Sequence, residues 1–233
     1  MSSFTKENLN SLYRLVKSYL KKTAPLEANH KDKQEQYGYI STPEYRFQHT
    51  MKVLDYALQI GSQEGGSSRV LLLAALFHDL ERFTCPPLEH GQRGAISTSR
   101  ILLERGYDPQ LVERVHEAIY YHVGQQELHS LSLEGAIIVE ADRLDKFGSK
   151  GMMVNLMISG INGLNFKESL ASFQEHLIIR GKRNLKIFRT ETGSRMLREK
   201  MAEQEEFLES LQAGIILETD SFFQELMDNL SDD

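Results

Sequence analysis

Residues 69–79 read Arg-Val-Leu-Leu-Leu-Ala-Ala-Leu-Phe-His-Asp, an almost unbroken apolar run that stops abruptly at a histidine and an aspartate. The run is shorter than the roughly 18–20 apolar residues that span a bilayer, so it predicts a helix inside a protein core. The acid at its end is informative. A buried, unpaired carboxylate costs several kcal/mol, so Asp79 must be paired, protonated or bound to a cation.

Outward from this run, helical periodicity dominates and alternating β-branched runs are scarce, which predicts an all-α fold. Upstream, Thr42 and Pro43 supply an N-cap followed by proline at the first helical position. On the helix that follows, Glu44, Gln48, Lys52, Asp55 and Gln59 form a polar stripe, and Phe47, Met51, Leu54 and Leu58 an apolar one. His49 lies outside the polar stripe and faces inward. Gly61 to Ser68 is expected to break this helix. A first helix spans about Lys6–Lys21, and the polar stretch Thr23–Tyr39, with Pro25 and Gly38, reads as a linker or surface loop.

Downstream, Pro86 and Pro87 mark a loop, and helices are expected over Gly91–Gly106 and, after an Asp108-Pro109 cap, Gln110–His122. Another covers Leu131–Phe147 and carries Asp142 among Ala136, Ile137, Ile138, Val139 and Ala141. Further helices are read over Phe166–Arg189 and Arg195–Gln212, with a last one opened by Ser221 and its capping-box partner Gln224. There is no internal repeat and no sharp change of composition, so one domain is expected over residues 1–233. Its core would be about 41–151, and the extension, about 152–233, would serve as a lid, a brace or a homo-oligomer surface.

The chain has 233 residues, 40% hydrophobic and 26% charged, ample for a buried core and unlike a disordered segment. A net charge of −6 argues against a broad nucleic-acid surface but leaves room for a small cationic pocket around one phosphate ligand. The single cysteine, Cys85, excludes an internal disulfide and a thiolate zinc cage, as expected in a reducing compartment. Met1–Asn10 has no basic-then-apolar signal pattern, so the expectation is a cytoplasmic protein without membrane attachment.

A divalent cation needs nitrogen and oxygen ligands converging from different elements, because one helix offers only neighbours three or four apart. Three predicted helices each present an inward donor: His49 from one, His78 and Asp79 from the end of the second, and Asp142 from the third. Each residue alone has a plainer reading. His49 could pack, and Asp142 could pair with Arg143 or a lysine.

The joint pattern resembles a known family. Arg46-x-x-His49, the His78-Asp79 doublet closing an apolar helix, and Ala141-Asp-Arg-Leu-Asp145 are similar in order and spacing to the HD-domain phosphohydrolases, over about Tyr45–Gly151. A weaker likeness through His176–Leu211, including Thr190-Glu-Thr-Gly, resembles a bacterial subgroup of small HD hydrolases. The resemblance implies an all-α HD-domain helical bundle with additional C-terminal helices, and His49, His78, Asp79 and Asp142 as metal ligands. Asp145 would support them. Manganese is the first expectation, with iron, cobalt, nickel, zinc and magnesium also compatible with imidazole and carboxylate donors.

The resemblance further implies hydrolysis of a phosphorylated small molecule, with a nucleotide expected and pyrophosphate release from a triphosphate one outcome. His90 and His122 stand where relatives place further histidines, and could bind a second metal, hold a phosphate or protonate the leaving group, or simply cap and pack. With Asp79, they and Glu81, read as a base orienting water, complete the expected catalytic set. Arg46, Arg82, Arg93 and Lys146 are the cations nearest the motifs in sequence and read either as partners of phosphate oxygens or as surface and ion-pair residues. Two other readings stay open: a phosphodiesterase or alarmone hydrolase, which would use a wider cleft and two metals, and a non-catalytic metal-bearing nucleotide sensor. His30, His116, His129 and His176 have no motif behind them and read as surface or packing residues.

Overall fold

A computed structural model describes residues 4–27, 42–124, 127–215 and 221–226. Ten α-helices form its frame: α1 (Lys6–Glu27), α2 (Pro43–Glu64), α3 (Ser68–Phe77), α4 (His90–Glu104), α5 (Pro109–Tyr120), α6 (Leu133–Leu144), α7 (Gly148–Ile161), α8 (Phe166–Phe173), α9 (Arg180–Leu185) and α10 (Glu191–Gly214). A 3-10 turn at Leu128–Ser130 leads into α6, and a π-helical turn at Gln174–Ile179 joins α8 to α9. Residues 221–226 are also helical, and no strand occurs among the described residues. Among these residues no helix is long and apolar enough to cross a membrane.

The helix starts follow the predicted chemistry. Thr42 accepts from the Tyr45 amide at 3.2 Å with Pro43 at N1, and Asp108 accepts from the Leu111 amide at 3.1 Å with Pro109 behind it. Other boundaries moved. Helix α1 continues through Pro25, past the predicted stop at Lys21, and the remainder of the expected loop, 28–39, lies outside the described residues. Gly61 sits within α2 rather than ending it, and the helix closes on the left-handed Gly65. The predicted helix Phe166–Arg189 is divided by the π turn and ends at Leu185. Helix α7, whose buried face is Gly148, Gly151, Met152, Asn155 and Ser159, had no clear period to announce it.

One core gathers these helices around α3. Leu71, Leu73, Ala74, Ala75 and Phe77 are fully buried, against Val53, Ala57 and Ile60 of α2 and Ile137, Ile138 and Ala141 of α6. The same cluster takes in Leu12, Val16 and Leu20 of α1 and Leu197 and Met201 of α10. On α2 the polar stripe is exposed as predicted, but the fully buried line is His49, Val53, Ala57 and Ile60; Met51, Leu54 and Leu58 flank it half-buried. A smaller cluster of Met152, Phe173, Leu177 and Ile178 holds α7, α8 and the π turn together.

A buried carboxylate ties the C-terminal part to the core. Glu140 of α6 is fully inaccessible to solvent, and it accepts from the amides of Arg189 (2.6 Å) and Thr190 (3.0 Å) and from the Thr190 hydroxyl. It therefore caps the start of α10, where unpaired amides and the helix dipole favour an anion. Gly193 makes room for this clasp, since a methyl there would overlap the Glu140 carboxylate and stand 2.7 Å from Thr190 Oγ1. Gly193→Ala should destabilise the protein by about 1–3 kcal/mol, read from urea denaturation; an unchanged midpoint would show that the clasp yields without cost.

Candidate metal centre

The centre forms where helix ends meet. His78 and Asp79 follow the last residue of α3, His90 opens α4, His122 stands just past α5, and His49 and Asp142 project from the bodies of α2 and α6. The last carbonyls of a helix lack intrahelical partners. Ala75 O receives His78 Nδ1 at 2.8 Å, and Ile119 O receives His122 Nδ1 at 2.6 Å. His90 uses the same three-residue reach in the loop before α4, with Nδ1 2.5 Å from Pro87 O. His49 Nδ1 meets Asp145 Oδ2 at 2.6 Å instead. All four rings thus commit Nδ1 to an acceptor, which sets the tautomer and turns Nε2 inward as a lone pair when the ring is neutral.

Those inward atoms converge. His49 Nε2 lies 3.3 Å from His78 Nε2, 3.1 Å from Asp142 Oδ1 and 3.5 Å from Asp79 Oδ2, and His78 Nε2 is 3.5 Å from the same Asp79 oxygen. Ligands around an ion with bonds near 2.1 Å sit roughly 3.0–3.5 Å apart. The observed spacings fall in that range. A single proton on His49 Nε2 can satisfy one of these acceptors, whereas a cation satisfies all of them together. Residues that fit a metal are therefore His49, His78, Asp79 and Asp142.

A second group lies beside the first. His90 Nε2 is 3.1 Å from His122 Nε2 and 3.1 Å from Asp79 Oδ1, and His122 Nε2 is 4.0 Å from that oxygen. Asp79 accordingly turns one oxygen to His49 and His78 and the other to His90 and His122, the geometry of a bridging carboxylate. Both triads have ligand atoms within 4.8 Å of one another. Gly91 lets α4 approach, because a methyl there would stand 3.1 Å from Tyr120 O and 3.2 Å from His122 Nδ1.

Electrostatics follow from this crowding. Burial works to raise the Asp79 carboxyl, but His78, Arg46 and the hydrogen bond from His90 outweigh it and hold it well below the usual range. At Asp142 burial likewise opposes ionisation, and Lys146 and His49 overcome it. Burial pushes His122 down to about 3, helped by the neighbouring His78 and His90.

The expected cations divide. Arg46 Nη1 lies 2.8 Å from Asp79 Oδ2, and Lys146 Nζ 2.7 Å from Asp142 Oδ2, so both border the centre. Arg143, the alternative partner of Asp142, points instead to Asn184 Oδ1 and Gly124 O. Arg93 forms an exposed pair with Glu89 at 3.0 Å. Arg82 is half-buried, and its amide donates to Asp79 O at 3.0 Å.

Glu81 does not turn to the centre. Tyr19 of α1 donates to both its oxygens at 3.0 Å, Ser97 of α4 donates to Oε1 at 2.6 Å, and the Thr84 hydroxyl reaches Oε2. A carboxylate so occupied ties α1 to α4 and has no lone pair ready for a water, so the structure corrects its reading as a base. Burial and the charge of Glu81 push the Tyr19 hydroxyl up to about 12. Sequence reasoning missed this hub and also Lys150, which pairs with Asp145 behind His49 and lies 5.0 Å from the Tyr45 ring centre. Hydroxyl partners scattered over 62 and 16 residues leave no local signal.

His122 makes stability depend on pH. Between about 6.5 and about 3 the unfolded chain takes up a proton that the folded chain refuses, so stability rises with pH and is lost as pH falls through that window. The metal-free protein should therefore weaken steeply below pH 6, and His122→Gln should flatten that limb in denaturation curves at successive pH values. A limb of unchanged slope in the variant would place the acid sensitivity elsewhere.

Comparison with known proteins agrees with this geometry. Residues 46–146 match the model of the HD domain, a segment that begins at Arg46 and ends at Lys146 and so brackets the whole centre. The uncharacterized protein YpgQ of Bacillus subtilis is 26% identical over 174 residues, 72% of this chain and 82% of that protein. Its crystal structure in complex with ADP superposes with a TM-score of 0.61 at 20% identity, covering 89% of this chain and 96% of that one. An HD-superfamily hydrolase from Bacillus thuringiensis gives 0.65 at 20% identity over the same shares, and a predicted HD-superfamily hydrolase from an uncultured Thermotogales bacterium gives 0.55 at 24%, over 86% and 91%. Ligand geometry, matched segment and shared fold all fall on the same helices: residues 46–146 match the HD domain, and the chain shares the fold of these HD-superfamily structures.

Proposed function

We propose that the phosphorylated substrate is a nucleotide, that His49, His78, Asp79 and Asp142 hold the metal, and that the bond cleaved is a phosphoanhydride, with pyrophosphate leaving a triphosphate. The observation that carries the ligand assignment is the set of 3.1–3.5 Å approaches among the Nε2 atoms of His49 and His78 and the oxygens of Asp79 and Asp142, each ring donating its Nδ1 proton to another acceptor. The nucleotide is supported by the ADP complex of YpgQ, which shares the fold. When bound, a divalent ion, manganese first among the candidates, supplies a water of lowered pKa and neutralises charge at phosphorus.

The chain's own residues do the rest. Asp145, with Lys150 behind it, keeps the His49 proton on Nδ1 and so holds Nε2 as a ligand. Arg46 and Lys146 flank the centre on its Asp79 and Asp142 sides, where phosphate oxygens would replace their present carboxylate partners. His90 and His122 face Asp79 with their Nε2 atoms. Either they receive a second ion, as the bridging orientation of Asp79 favours, or His90 donates a proton to the leaving group. Two ions would bring the phosphodiesterase or alarmone-hydrolase reading forward, and nucleotide binding without turnover would favour a sensor.

Asp79→Ala should lose at least about a thousandfold in turnover, because it removes a ligand from both triads. Asp145→Asn should weaken metal binding by about 10–100-fold while leaving the ligands in place. Elemental analysis with phosphate and pyrophosphate assays over a nucleotide panel checks both. One equivalent of metal and pyrophosphate release support the reading as stated, two equivalents with diester cleavage replace it by the alternative, and turnover surviving Asp79→Ala overturns the site.

A further inference from the structure

A cavity of about 170 Å³ opens beside the centre, between α7 and the π turn. Its wall begins at Asp145, whose carboxylate holds His49, and at Lys146, whose ammonium holds Asp142. From there Phe147, Val154, Ile158 and Leu177 supply apolar surface. The volume is below the roughly 300–1,000 Å³ of pockets for whole drug-sized ligands. It suits one flat ring system attached to something held elsewhere.

Polar groups stand at defined points. His176 sits on the π turn, an irregularity often retained at functional sites. Its Nδ1 donates to Ser172 O at 3.0 Å, and the residue lines the cavity, so that Nε2 is the ring nitrogen left to accept from a ligand. Arg180, one turn on, adds a cation to the same rim. An acceptor edge over apolar walls favours an amine over a carbonyl at the ring position that faces it. Bases with an exocyclic amine, such as adenine and cytosine, meet that demand, and a carbonyl in the same place would oppose the imidazole lone pair.

We propose that this cavity receives the base of the nucleotide while the phosphates occupy the metal centre, and that His176 favours bases with an exocyclic amine. The proposal rests on the nucleotide reading for the phosphate end, and the test separates the two. With the full chain loaded with manganese, the kcat/KM ratio of adenosine triphosphate to inosine triphosphate should be at least about tenfold and should fall toward one in His176→Phe. Val154→Trp, which fills the cavity without touching a metal ligand, should raise KM for both by about tenfold or more. A ratio near one in the parent chain, or a ratio and KM unmoved by both variants, overturns the pocket even if both nucleotides are hydrolysed. If neither is hydrolysed, calorimetry with adenosine and inosine decides: preference for adenosine that depends on His176 upholds the pocket and removes the nucleotidase reading, and equal or absent binding overturns the pocket as well.

Discussion

Four imidazoles that have each spent the Nδ1 position on a fixed acceptor turn their remaining nitrogens toward two aspartates in a space too small for the protons those nitrogens would need. Lone pairs and carboxylates at 3.1–3.5 Å repel unless positive charge lies among them. Much of the surrounding fold answers that requirement. Arg46 and Lys146 approach from two sides, and Lys150 with Asp145 steadies His49 from behind.

The helices reach this arrangement by stopping in the right places. Three of the rings use a carbonyl three residues earlier, and for His78 and His122 that carbonyl lies in the last turn of a helix that has just ended. Carbonyls at a helix terminus thus orient the imidazoles of the candidate centre. Close packing of the ends is what small residues such as Gly91 and Ala95 permit.

The legible part of this design is local. The apolar run before His78-Asp79, the Thr42-Pro43 cap and the inward stripe of α6 each announce themselves within a few residues, and the motif order singled out His49, His78, Asp79 and Asp142, which the helices bring together. What escaped lies in partnerships across the chain. Glu81 reads as a base from its nearness to Asp79 in sequence, yet Tyr19, Thr84 and Ser97 claim it. Arg93 reads as a phosphate ligand for the same reason, yet its helix turns it to Glu89. Helix α7 buries glycine, asparagine and serine, a face without the apolar period by which helices are usually recognised.

The Glu140 clasp bears on how far the catalytic segment can stand alone. Every hydrogen bond recorded for its carboxylate comes from residues 189 and 190, while two positions along the same helix Asp142 faces the metal centre. Burial already pushes the Glu140 carboxyl above its ordinary value, against the pull of those donors. Parting the two halves would leave an acid in an apolar wall with nothing to bind, two residues from Asp142. The boundary drawn by the recognisable motif is therefore not an energetic boundary: evolutionary exchange of the tail for another would have to bring its own cap for Glu140, or replace the acid in the same event.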